Sequence, residues 1–130
     1  MEIKRLSHVQ LNSDDVEASR EFYEKAFGAK VLYTNMEKDG TTVKGYFMEI
    51  VPGSVLEIAP PRFPFDGKNS AWNTIAIETD DINAAMEQIV AGGGIHEVGP
   101  FKGSMGTINI YNSVMIGPSG EHIELIEIID

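Results

Sequence analysis

Cysteine is absent from this 130-residue chain, which removes disulfides, thiolate metal sites and cysteine nucleophiles together. Cations are scarce as well: Lys+Arg 10 against Asp+Glu 20 gives a formal net charge of -10. Phosphate backbones and anionic lipid surfaces are gripped by Lys and Arg, so neither nucleic acid nor a membrane is expected as a partner. There is no run of about 18 apolar residues and no signal-like apolar stretch after Met1, so spanning and secretion lack support and a cytoplasmic setting is the expectation. What is present is an ordinary globular composition, 42% hydrophobic and 23% charged, at the length of one domain with a real core. The ligand class left by these exclusions is a small molecule or a metal ion.

The chain repeats itself. SHVQLNSDD (7–15) aligns with NTIAIETDD (73–81), and the same offset pairs Val16 with Ile82, Ala18 with Ala84, Glu21 with Glu87 and Gly28 with Gly94. VPGSVLEIAP (51–60) resembles IGPSGEHIELIE (116–127), with one extra residue in the second copy and Glu57 matched to Glu124. The alternation Val9, Leu11 against His8, Gln10 predicts a half-buried strand. The helix after it is predicted to be capped by Asp14, with Glu17 in capping-box spacing, and to stop at Gly28. Val16, Phe22, Tyr23, Ala26 and Phe27 fall near one side of that helix. Extending this through both copies gives βαβββ twice: a first module over 1–61, a linker over 62–71 and a second module over 72–130, with the three prolines and one glycine of PPRFPFDGKNS (60–70) marking the turn between them.

Side chains alternate across a strand, so each strand has a helix-bearing face and an open one. Val9, Leu11, Leu56 and Ile58, or Ile75, Ile77, Ile123 and Leu125, form the aliphatic faces. The opposite faces carry His8, Gln10 and Glu57 in one module and Thr74, His122 and Glu124 in the other. A merely wet sheet face accounts for polar residues there, yet Val55, Ala59, Ala76 and Ile126 lie among them, as on a partly enclosed surface. Two carboxylates brought together repel unless a cation sits between them or one stays protonated. A divalent ion with His8 as a nitrogen ligand resolves that repulsion. His96 has no such setting and is expected to face solvent.

These features, namely the paired βαβββ pattern, HVQL and TIAI each followed by DD and a helix, the AGGG stop and the closing GPSGEHIEL, resemble the vicinal oxygen chelate superfamily, which includes glyoxalase, bleomycin resistance and extradiol dioxygenase proteins. The resemblance covers the whole chain. It implies an α+β fold in which two tandem βαβββ modules form a cupped, partly open β-barrel with helices on the outer face. It also implies one divalent metal ion (nickel, zinc, manganese or iron), held near the start of each module's first strand and in its last. Carried onto this sequence, those positions are His8, Thr74, Glu57 and Glu124. Three suit a metal; Thr74 departs, because a neutral hydroxyl is a poor transition-metal ligand. His8, Glu57 and Glu124 are therefore the metal candidates, Glu57 and Glu124 also the catalytic ones, and His122, Gln10 and Thr74 the candidates for substrate contact. His122 can alternatively supply the missing nitrogen or be a surface histidine.

The implied activity is that of a glyoxalase-like lyase or isomerase whose metal chelates adjacent oxygens of a small substrate and stabilises an enediolate while a glutamate acts as base. Asn12 stands where glutathione-using members tend to carry an arginine, so glutathione is not assumed. GPFKGSMGT (99–107) resembles a Gly-rich loop near the mouth of the cup. The alternative function is a metal-free protein that sequesters a drug-like molecule, with Phe47, Phe63, Phe65, Trp72, Met105 and Tyr111 as candidate lining. A diverged interaction module is a third reading. A homodimer is expected, with each cup assembled within one chain or across two.

Overall fold

The computed structural model describes residues 1–2, 4–60, 74–105 and 107–129. The linker and its Phe63 and Phe65, together with Trp72, lie outside the described residues. The order is β1 (Val9–Asn12), α1 (Val16–Phe27), β2 (Lys30–Met36), β3 (Val43–Val51) and β4 (Ser54–Ala59). β5 (Thr74–Glu78), α2 (Ile82–Ala91), β6 (Ile95–Met105), β7 (Ile108–Ile116) and β8 (His122–Ile128) follow. The two sheets have equivalent orders, β1-β4-β3-β2 and β5-β8-β7-β6. In each, the first and last strands of the module run parallel and the other pairs are antiparallel. The βαβββ repeat is thus present twice.

Local chemistry sets the helix ends. Asp15, not Asp14, caps α1: its side chain accepts from the Ala18 N–H at 3.0 Å. Ser13 Oγ takes the Asp15 N–H at 3.2 Å, which places the start of the helix one residue later than the spacing predicts. Glu17 is then too early in the helix to complete a capping box, and it bonds Arg20 and Tyr46 instead. Gly28 ends α1 at φ 68, a left-handed conformation open to glycine, and its N–H reaches Glu24 O at 2.9 Å. Asp81 caps α2 in the same way as Asp15 caps α1.

The aliphatic faces read from the alternation meet in one shared core. Leu56 and Ile58 of β4, Ile123 and Leu125 of β8, Phe22, Tyr23 and Ala26 of α1, and Ile82 and Ile89 of α2 are all buried in a single cluster. The helices contact each other as well as the sheets; a Cβ placed on Gly92 would sit 3.1 Å from the Ala26 backbone. Polar ties also cross between modules: Tyr23 donates to Glu121 Oε2 at 3.0 Å, and Ser19 Oγ lies 3.1 Å from Ser119 Oγ. Burial, followed by the Glu121 charge, pushes the Tyr23 phenol well above its ordinary value.

Because both helix-bearing faces are spent on this common core, the open faces point away from it. Within one chain the two sheets are cupped and left open, as the resemblance implies, and among the described residues no strand of one sheet pairs with a strand of the other.

One buried group in β7 lacks compensation. Ser113 is fully buried, and among the described residues its hydroxyl has no partner. An unpaired buried hydroxyl costs free energy that an alanine methyl does not. Ser113→Ala should therefore raise unfolding stability by about 1 kcal/mol, read as a higher urea midpoint at unchanged slope; a lower midpoint contradicts the reading.

Candidate functional site

On the open face of the first sheet, register lines Tyr33, Phe47, Glu57 and Gln10 into one row across β2, β3, β4 and β1. His8 immediately precedes β1 and shares the face of Gln10, two residues on. Its Nε2 lies 3.3 Å from Glu57 Oε1, while its Nδ1 is 3.1 Å from Ser7 Oγ. The ring meets Phe47 edge-on, centroids 4.9 Å apart, and Tyr33 packs beside Phe47 at 6.2 Å. Gln10 donates from Nε2 to Asn12 Oδ1 at 2.9 Å. A cleft of about 260 Å³ opens against Leu6, His8, Val9 and Gln10.

Glu57 is the unusual member of this group. Its side chain is only 2% exposed, whereas His8 is 35% exposed. A carboxylate out of water is costly unless a positive or hydrogen-bonding partner compensates it, and the imidazole at its side is one such partner. An imidazole beside a buried carboxylate is half of a ligand set for a divalent first-row ion, which takes nitrogen and oxygen donors together.

The open face of the second sheet carries the matching row Val98, Val114, Glu124 and Ala76 across β6, β7, β8 and β5. Beside it runs Ile95, Ile116, His122 and Thr74. Glu124 occupies in this sheet the place of Glu57 in the first. His122 Nε2 lies 3.6 Å from Glu97 Oε2, with both side chains partly exposed. The face is otherwise rich in uncovered apolar groups: Ile95 is 62%, Phe101 51% and Val98 43% exposed.

The six sequence candidates thus divide into two groups. His8, Glu57 and Gln10 come together on the first sheet; Thr74, His122 and Glu124 come together on the second. Among the described residues of one chain, no three His, Asp or Glu side chains converge on a common point, because the shared core turns the two open faces away from each other. His96 is exposed, its Nε2 2.8 Å from Gly99 O.

Two expectations are corrected here. Residues 99–105 are not a loop but the second half of β6, paired with β7 as far as Met105 and Ile108. Gly99 at φ 93 bends the strand at a register shift instead of freeing it. Tyr111, a candidate lining residue, packs against the core on the helix side, whereas Phe47 does face the cup.

Sequence reading missed Glu97. It is the extra residue at a register shift between His96 and Val98, and a bulge has no signature in the alternation pattern.

Comparison with known proteins follows the same outline. The family model for the Glyoxalase/Bleomycin resistance protein/Dioxygenase superfamily matches residues 5–125. The chain is 36% identical over 129 residues to a "Probable lactoylglutathione lyase" of Vibrio cholerae, covering 95% of this chain and 90% of that protein. It is 32% identical over 130 residues to the lactoylglutathione lyase of Escherichia coli O157:H7, covering 95% and 92%. Among solved structures, TnmS3, an antibiotic binding protein from Streptomyces sp. CB03234, superposes with TM-score 0.76 at 17% identity over 99% of each chain. The glyoxalase family protein from Enterococcus faecalis gives 0.72 at 20% identity over 95% and 98%. At such identities the structural likeness establishes the fold.

Proposed function

The chain belongs to the Glyoxalase/Bleomycin resistance protein/Dioxygenase superfamily, and from that premise we propose that it is a metal-dependent, glyoxalase-like lyase or isomerase of small oxygenated substrates, active as a homodimer. The observation that carries this reading is the His8–Glu57 pair, an imidazole 3.3 Å from a buried carboxylate, with a symmetry-matched carboxylate, Glu124, on the other open face. Two copies related by a two-fold axis can set the first sheet of each against the second sheet of its partner. Each of the two resulting cups then holds His8, Glu57 and Gln10 from one copy and Thr74, His122 and Glu124 from the other. The exposed apolar groups Ile95, Val98 and Phe101 are then covered as well, consistent with how such patches behave at interfaces.

A divalent ion held by His8, Glu57 and Glu124 supplies Lewis acidity toward adjacent oxygens of the substrate. The protein groups do the rest. Glu57 or Glu124 takes a proton from a carbon next to the carbonyl and returns it to the neighbouring carbon. Gln10 and Thr74 are placed to hydrogen-bond substrate oxygens, and the rings of Phe47 and Tyr33 shield the imidazole side of the cup from water. A buried carboxylate also argues against the drug-sequestering reading, since an apolar ligand offers Glu57 nothing in exchange for its lost hydration.

Protein purified from metal-replete cells should carry near-stoichiometric nickel, zinc, manganese or iron. It should isomerise adducts of a 2-oxoaldehyde with glutathione or a smaller thiol to the thioester. Chelation should abolish turnover and readdition of the ion restore it. Metal-free protein under these conditions, with tight binding of an aromatic antibiotic, supports the sequestering function instead.

A further inference from the structure

We propose that His122 is the second imidazole donor of the metal centre and that Glu97 is the positioning residue that aims it; this rests on the metal-dependent reading above. The chain's own internal symmetry motivates it. In the first module an imidazole on the first strand, His8, stands beside the last-strand carboxylate Glu57. The second module keeps the carboxylate, Glu124, but has Thr74 where His8 would be matched. The β5–β8 register sets His122 directly opposite Thr74, so the nitrogen is displaced by one strand spacing, about 4.8 Å, without leaving the face.

His122 and Glu124 are also two apart on one strand. Side chains at i and i+2 project from the same face with Cα atoms about 7 Å apart, a span that one ion can bridge. The second observation is Glu97. A metal-bound histidine almost always gives its other ring nitrogen to a carboxylate or carbonyl, which fixes its orientation and raises its basicity. The register shift after His96 supplies such a carboxylate, with Glu97 Oε2 3.6 Å from His122 Nε2, and Nδ1 is left for the ion. A surface His–Glu pair by itself stabilises a protein very little. One formed at a bulge, on the face that carries Glu124, has a purpose if the ring is a ligand.

The chain has only three histidines, which makes the test a count. Full-length protein in a His96→Ala background is loaded with Cu²⁺, and pulsed EPR counts the coordinated imidazole nitrogens. The expected count is two, falling to one in His122→Ala and to one in His8→Ala. Glu97→Gln should keep two while weakening metal affinity about 10-fold to 100-fold. His122→Asn, read alongside circular dichroism, separates ligand loss from misfolding. A count of one that only His8→Ala removes overturns the assignment of His122 and leaves the metal centre standing. Copper binding indifferent to His8, Glu57 and Glu124 overturns both.

Discussion

Glu57→Gln is expected to abolish retention of the divalent ion and to lower kcat/KM by at least about 1,000-fold, leaving the fold intact. A ligand and a general base are lost in one substitution, and a base alone contributes about 100-fold to 10,000-fold. Glutamine keeps the size of the side chain and one acceptor oxygen, exchanges the other oxygen for an NH2 donor and removes the charge. Without metal, the substitution should not destabilise the protein, because it relieves a buried carboxylate (2% exposed) of its desolvation cost. The expected pattern is therefore a melting temperature in chelator equal to or above that of the wild type, and no rise in that temperature when metal is added. A purely structural Glu57 predicts the reverse, a less stable protein with turnover falling only in proportion to the folded fraction. Full metal content with wild-type turnover in Glu57→Gln refutes the proposed centre.

Much of this arrangement is legible in the sequence because it is repeated. The DD-helix-Gly pattern at two places specifies two modules, and strict alternation in HVQL, VLEIA and HIELI separates core faces from open ones. The readings that failed depend on information the pattern does not hold. Whether Asp14 or Asp15 caps α1 turns on the Ser13 hydroxyl that receives the Asp15 N–H, a contact one residue out of phase with the motif. GPFKGSMGT has loop composition, yet strand pairing with β7 overrides it. The partly open cup is as expected; what alternation leaves open is that Leu56, Ile58, Ile123 and Leu125 enter a common core, since it states which residues share a face but not which way two faces point. Glu97 was hidden for a related reason, since the bulge that brings it to His122 breaks the periodicity by which faces are assigned.

Trans-complementation tests that geometry with an all-or-none readout. His8→Ala and Glu124→Gln should each be inactive alone. Co-expressed under different affinity tags and purified as a heterodimer, they should recover about half of wild-type activity and one metal per dimer. One of the two cups then draws His8 and Glu57 from the Glu124→Gln copy and Glu124 from the His8→Ala copy, and is whole; the other lacks both groups. Placing the same two substitutions in one chain and pairing it with wild type inverts the expectation. Each cup then lacks one ligand, and activity should vanish although one subunit is unaltered. A site built within a single chain predicts the opposite in both arms: a dead first heterodimer and a half-active second. The opposition follows from the proposed arrangement, in which the helix-side faces of both sheets are consumed by the shared core and Glu57 meets the carboxylate matched to it by turning toward another copy.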